Sequence, residues 1–381
     1  MPTDRLQQTA VQFDNYLGSR GLVYEPQVKA DLLAAVLGSQ FVLFAGPSGT
    51  GKSTAATALA DFFAPAERRS TIAVERTWET PQDVVGAYSS FARYYLAKPG
   101  LDELMKMQLH DAAAQDSAES RTPVAVVEEA NLSPIEGYFN PVMHSLSTPA
   151  QYGIRWDLHP LAEAAPRSGE DDAPKVVPPV LVLGPWPRFL GTINVDHTAI
   201  APARKVSGRA CVVLLEPMEA VAAADGVDAL WGGAGAAGRL EGPEELLHDP
   251  RTALASLRGR PALTETATGL DEVTGLLVSA LGANPVSKRD EQRCLLYMAF
   301  FQEIAPHVPG FPMDNLLAQA AENAVLHFVL PGLTPQQFAV AVDLFRADGP
   351  ASLLRSRCAR LLPEEADVSL GYAVDFWTAL S

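Results

Sequence analysis

The residues best suited to chemistry lie at Gly46-Pro-Ser-Gly49-Thr-Gly51-Lys52-Ser53, a glycine-rich turn that follows the apolar run Phe41-Val-Leu-Phe44. Glycines let a backbone curl so that successive N–H groups face the β- and γ-phosphates of a nucleoside triphosphate. The helix that follows adds the partial positive charge of its N-terminus. In this pattern Lys52 neutralises phosphate charge and Ser53 places its hydroxyl on Mg²⁺. The spacing predicts a phosphate loop made of Gly46, Pro47, Ser48, Gly49, Thr50, Gly51, Lys52, Ser53 and Thr54. Such a loop needs a strand to deliver it and a helix to receive it. Phe41 to Phe44 reads as a buried strand, and Ser53 to Phe63 as a helix with Ala56, Leu59, Ala60 and Phe63 on one side.

Hydrolysis of a bound triphosphate also needs one carboxylate near the metal and a second to orient water, both at the end of a strand beside the loop. Val124-Ala-Val-Val127-Glu128-Glu129 offers this arrangement, with Glu128 in the Mg²⁺ shell and Glu129 acting on the attacking water. Ser133-Pro-Ile-Glu136 then reads as a capping box with proline at the first helical position. The strand Phe189-Leu-Gly-Thr-Ile-Asn194 ends in an amide that can hydrogen-bond the water or the γ-phosphate, and Asp196 follows. An asparagine at a strand end also serves as an ordinary turn residue.

The elements that hold these groups alternate along the chain. Residues 5 to 38 read as helical with a break near Gly18 to Pro26 and an apolar face of Val28, Leu32, Leu33, Val36 and Leu37. Apolar runs recur at Ser70 to Val74, Pro123 to Val127, Val180 to Leu183, Phe189 to Asn194 and Cys211 to Leu215. Strands alternating with helices after a phosphate loop imply an α/β fold, a parallel sheet covered on both faces. Residues 160–179 and 217–262, rich in Pro, Ala, Gly and acid, read as insertions or mobile loops. From about Leu270 strand signals give way to helical periodicity. The expected organisation is a helical segment over 1–24, an α/β nucleotide-binding domain over 25–265 and a helical lid over 266–381.

At 381 residues, 48% hydrophobic and 19% charged, the chain has the composition of a soluble globular protein. Its formal net charge of −16 and its lack of any Lys/Arg run argue against indiscriminate nucleic-acid binding, although a ring can gather scattered cations into one pore. The N-terminus lacks a signal-peptide core and no stretch has the length of a membrane helix, so a cytoplasmic protein without membrane contact is expected. Cys211, Cys294 and Cys358 match no metal-ligand spacing and read as small core residues.

Taken in order, the phosphate loop, the acidic strand, Gly191-Thr-Ile-Asn194-Val-Asp196 and the helical C-terminal region resemble the AAA+ ATPases. The stretches Thr77-Trp78-Glu79-Thr80-Pro81-Gln82-Asp83-Val84-Val85-Gly86, Glu128-Glu-Ala-Asn-Leu-Ser133, Lys205-Val-Ser-Gly-Arg209-Ala210, Val329-Leu-Pro-Gly332 and Phe376-Trp377 narrow the likeness to the McrB-like branch, the NTP-driven motors of modification-dependent restriction and related defence systems. The resemblance begins near residue 24 and implies a homo-oligomeric ring, a hexamer, with nucleotide held between neighbours and a partner such as a nuclease subunit. Arg209 would then act in trans on the γ-phosphate of the adjacent subunit; the plainer reading is a surface cation at a strand start. Arg289 is a candidate lid arginine touching phosphate in its own subunit, or an ordinary helix-start charge. Trp78 and Asp83 belong either to a loop facing the pore or a partner, or, for Trp78, to the core.

The chain departs from the family in carrying Glu128 and Gly208 where aspartates are usual, and Ile193-Asn-Val-Asp-His197 lacks the signature associated with GTP. ATP is therefore the favoured nucleotide, with GTP open. About 24 residues precede the motor region, too few for a DNA-reading domain; direct DNA contact is left open without support from charge. A nucleotide-gated assembly switch with little turnover is the alternative function. A phosphate-loop kinase acting on a small molecule would leave the Asn194 strand and the helical lid unused.

Overall fold

The computed structural model of the protein describes residues 3–108, 122–147, 153–168, 176–184, 186–195, 200–216, 261–346, 354 and 376–380. Its first helices, α1 (Thr3–Ser19) and α2 (Pro26–Gly38), are separated where Gly21 takes a positive φ of 66° and Pro26 opens the second. From Ala30 to Gly38 α2 is buried on every side rather than on one stripe. Strand β1 (Phe41–Gly46) follows and is wholly buried, then α3 (Lys52–Phe63) and β2 (Arg69–Ala73).

Beyond these come α4 (Pro81–Val85), β3 (Gly86–Ser89), β4 (Tyr94–Ala97), α5 (Pro99–Lys106) and β5 (Val124–Glu128). They are followed by α6 (Ile135–Tyr138), α7 (Asn140–Ser145), β6 (Ile154–Asp157), β7 (Ala165–Ser168), β8 (Val176–Val177) and β9 (Val180–Leu183). The α/β part closes with β10 (Arg188–Asn194), α8 (Arg204–Ser207) and β11 (Cys211–Leu214). The central sheet has the order β11-β1-β10-β5-β2 with every pairing parallel. Parallel strands covered on both faces are apolar throughout, which is why β1, β5, β10 and β11 read as unbroken runs. α3 packs on β1, β5 and β10, and α2 on β1 and β11. The fold is α/β, as the alternation of strands and helices predicts.

The C-terminal helices are α9 (Pro261–Leu281), α10 (Lys288–Ile304), α11 (Leu316–Phe328), α12 (Pro335–Arg346) and α13 (Phe376–Leu380). α10 lies along α2 and α11 packs on β11. The seam holds a buried polar group: Asp31 Oδ1 accepts from Tyr297 Oη at 2.6 Å and lies 2.8 Å from His327 Nε2. Burial and the Asp31 carboxylate hold the Tyr297 phenol well above its ordinary range. At the other end of α2, Arg188 is buried completely and donates to the Val36 carbonyl at 2.9 Å and the Leu37 carbonyl at 3.5 Å. A cation on the last carbonyls of a helix satisfies groups that have no partner within the helix and complements its dipole.

Three sequence expectations change. Val180 to Leu183 is a strand, β9, but it pairs antiparallel with β6 in a separate two-stranded sheet. Residues 160–179 are not loop throughout: β7 and β8 lie within them and extend the β3–β4 hairpin into a four-stranded sheet. Ser133 does not cap the helix after the acids, because its hydroxyl donates to the Glu75 carbonyl at 2.9 Å. A capping box forms instead at Thr80–Asp83, with Pro81 at the helix start. Residues 217–260 of the second expected insertion, Asp196 and Cys358 lie outside the described residues, whereas Cys211 and Cys294 are buried free thiols as expected.

Candidate nucleotide site

The C-terminal end of β1 places Gly46 beside Asn194, its registered partner on β10. A Cβ on Gly46 would stand 2.2 Å from the Leu215 carbonyl oxygen, so only glycine allows the chain to leave the sheet here. Gly49 and Gly51 take φ of 85° and 78°, the left-handed turns that let a loop curve around a ligand and that side chains disfavour. Pro47, Ser48 and Gly49 are exposed, while Thr50 is buried and its hydroxyl donates to the Pro47 carbonyl at 3.0 Å. Lys52 begins α3, and its buried side chain donates from Nζ to the carbonyls of Gly46 at 2.9 Å and Pro47 at 2.6 Å. The ammonium is thus folded back into the loop it would serve. Ser53 and Thr54 are exposed on the first turn of α3. Curved backbone, lysine, helix N-terminus and an open serine hydroxyl together fit a nucleoside triphosphate with Mg²⁺.

The acidic pair stands at the end of β5, two strands from β1 with β10 between. Glu128 closes the strand half-buried and pairs with Ala73 of β2. Glu129 is exposed and held at φ 50°, ψ 45°, the left-handed region that costs a branched or long side chain about 1–2 kcal/mol. Its N–H donates to the buried Thr192 Oγ1 of β10 at 2.9 Å, which ties this turn to the neighbouring strand. Strained backbone at a candidate water-activating residue is where function most often stores strain.

Asn194 is half-buried at the end of β10. Its backbone is gripped by a residue for which the sequence offered no role: Asn131 Oδ1 accepts from Asn194 N–H at 3.1 Å, and Asn131 Nδ2 donates to the Asn194 carbonyl at 2.8 Å. The same amide also donates to the Ile200 carbonyl at 3.1 Å. Asn131 therefore ties the turn after the acids to the end of the strand that carries Asn194. The only sequence signal for it was its place three residues beyond Glu128, since its partner lies 63 positions away.

The stretch 77–86 backs this turn rather than projecting from it. Trp78 is buried with its ring edge-on to Tyr138 at 5.5 Å, so the core reading of Trp78 holds and the pore-facing one does not. Asp83 accepts from the N–H groups of Glu79 and Thr80, which hold its carboxyl below the usual range. A Cβ on Gly137 would stand 2.4 Å from the Glu79 carbonyl, so this loop and α6 are in direct contact.

Arg209 and Arg289 lie elsewhere. β11 begins at Cys211, level with Val42, which is about 13 Å before Gly46 along the strand direction. Arg209 precedes that point, at the end of the sheet opposite the phosphate loop. Its Nε donates to Ser147 Oγ at 2.5 Å and its Nη1 to the Lys205 carbonyl at 2.5 Å. Arg289 Nη2 donates to the Ser147 carbonyl at 3.0 Å. Arg289 thus lies with Arg209 on Ser147, while Lys52 lies on the loop that follows β1. α10 packs along α2, and its first turns reach Ser147 through Arg289 and the Ala210 carbonyl through Arg293. Arg209 is held below the usual arginine range by burial first and then by the charges of Arg289 and Arg293.

Among the described residues no group of His, Cys, Asp and Glu is arranged to hold a metal by itself, and no helix is long and apolar enough to cross a membrane. No protein-family model matches the sequence, and no curated protein does. A solved structure from Cytophaga hutchinsonii, described as a "putative ATPase", is similar in fold with a TM-score of 0.53 at 11% identity, over 91% of this chain and 96% of that one. At that identity the likeness extends to the fold alone: a parallel α/β sheet with a helical C-terminal region, shared with a protein described as an ATPase.

Proposed function

We propose that the protein is a nucleoside-triphosphate hydrolase of AAA+ type, using ATP, or GTP, with Mg²⁺. The observation that carries this is the convergence at one end of the sheet of Lys52 and two left-handed glycines with Glu128, Glu129 and Asn194 from adjacent strands. In this reading the loop N–H groups and Lys52 hold the phosphates, and Ser53 with Glu128 completes the metal shell. Bound Mg²⁺ supplies neutralisation of the charge on the β- and γ-phosphate oxygens. Glu129 takes the proton from the attacking water, and Asn194 orients that water or the γ-phosphate. These roles leave the transferred charge short of one cation.

Arg209 supplies it from a neighbouring copy, because its place at the far end of the sheet keeps it from its own loop. That arrangement calls for a closed homo-oligomer, a hexameric ring, whose nucleotide cycle drives conformational work on a partner. By the sequence resemblance the partner is a nuclease, another protein or DNA, in a McrB-like restriction or defence system. The test is turnover per subunit as a function of protein concentration, with mass measured in parallel. The reading expects turnover to rise and level off as an assembly forms, and nucleotide binding to vanish in Lys52→Ala. A chain that remains a monomer with either nucleotide overturns the ring, and tight binding without turnover in the assembled protein points to the switch.

A further inference from the structure

We propose that Ser147 is a positioning residue that holds Arg209 and Arg289 together as one two-arginine clamp for the phosphates of a nucleotide bound by a neighbouring copy. This rests on the trans reading of Arg209 and extends it to two residues. Ser147 sits just after α7 and serves both cations at once. Its Oγ accepts from Arg209 Nε at 2.5 Å while donating to the Met143 carbonyl at 2.8 Å, so the direction of the hydroxyl is set by the helix behind it. Its carbonyl accepts from Arg289 Nη2 at 3.0 Å. The two guanidinium groups come from elements far apart in sequence, the turn before β11 and the first turn of α10, and one residue joins them.

The charge around the pair is unbalanced. Arg293 lies beside them and takes Asp290 through its Nη1 at 3.1 Å, with its Nη2 on the Ala210 carbonyl. Among the described residues neither Arg209 nor Arg289 forms an ion pair with a carboxylate; their hydrogen bonds go to a hydroxyl and to neutral carbonyls. Lys205 adds a further cation one turn away, bonded to Asn140 Oδ1 at 3.2 Å. Like charges held side by side on neutral acceptors repel, and an arriving polyanion relieves that repulsion. In a chain of net charge −16 this is a local concentration of cations at the face Arg209 needs for a trans role. Two planar guanidinium forks match the several oxygens of a phosphate chain better than one.

The test uses the full chain with Ser147→Ala and Ser147→Thr, measuring kcat and KM for nucleotide together with the thermal midpoint. Ser147→Ala removes the acceptor of Arg209 Nε and leaves that guanidinium held only through Nη1 on the Lys205 carbonyl, with Arg289 still on the backbone carbonyl of residue 147, and kcat falls about 10- to 100-fold while KM, set by the other subunit's loop, stays within about threefold. Ser147→Thr keeps the hydroxyl and recovers most of kcat. Mixing Ser147→Ala with Glu129→Gln protein restores turnover, since the first brings an intact loop and Glu129 and the second an intact clamp. Wild-type kcat in Ser147→Ala, or no recovery in Ser147→Thr at an unchanged thermal midpoint, overturns the clamp. Arg209→Ala mixed with Glu129→Gln separates the two claims. If that mixture regains activity while the Ser147→Ala mixture does not, Ser147 loses its role and the trans reading stands. If neither mixture recovers, or the wild type shows no turnover, the trans reading falls and the clamp with it.

Discussion

Glu129 shows how much a single residue can reveal. A glutamate at φ 50° is held against its own preference by the Glu129 N–H bond to Thr192 and by the Asn131 clamp just beyond it. Asparagine tolerates this backbone region better. Glu129→Asn is therefore expected to raise stability by about 0.5–1 kcal/mol, read as a higher denaturant midpoint, while removing hydrolysis. A lower midpoint would mean that the carboxylate itself stabilises the turn. The same residue marks the limit of reading sequence. Paired acids after an apolar strand were legible because strand and carboxylates are local. The left-handed turn and the Asn131 clamp were not, since both depend on β5 and β10 lying side by side. Arg289 is the sharper case: its serine-lysine-arginine-aspartate setting identified a helix start, which α10 confirms, but only packing decided that it meets Ser147.

At the scale of elements, β1, α3, β5, β10 and β11 were legible because buried parallel strands and the helix after the loop carry strong apolar patterns. The sheet β3-β4-β7-β8 was not, because its strands have two to four residues and two of them sit in proline- and acid-rich sequence. Arg188, next to the apolar run that begins at Phe189, carries no local sequence signal for its role. It proves to be the group that closes α2, fully buried on the carbonyls of Val36 and Leu37 and bonded to Trp186 as well. Arg188→Met keeps the volume but strands those carbonyls, and a loss of about 3 kcal/mol in unfolding free energy is expected by denaturant titration. A loss under about 1 kcal/mol would show that α2 ends without this cation. Because α2 packs on β1, its position bears directly on the delivery of the phosphate loop.

Across the molecule, burial penalises ionisation of several groups. Tyr297 between α2, α10 and α11, Tyr138 beside the acidic turn and Tyr95 in the second sheet are all raised above the ordinary 10.0 by desolvation first. Cys211 and Cys294 are raised above 9.0 for the same reason. Groups whose pKa is higher when folded contribute fully below their unfolded values, and that contribution is lost as pH rises toward the folded ones. The denaturant midpoint should therefore hold up to about pH 9 and fall above pH 9–10, with a shallower fall in Tyr297→Phe. An equal slope in that variant would remove Tyr297 from the account. What the sequence conveyed at this scale was a phosphate-loop α/β protein ending in helices; the placement of α10 along α2, with Arg289 on Ser147, needed three-dimensional packing. The most direct measurement is steady-state phosphate release from ATP and from GTP by the purified chain, with Glu129→Gln protein as the blank. Turnover above that blank with at least one nucleotide, and unchanged nucleotide binding in the variant, is the expected result; equal release by both proteins, with nucleotide bound, would contradict a hydrolytic role for Glu129.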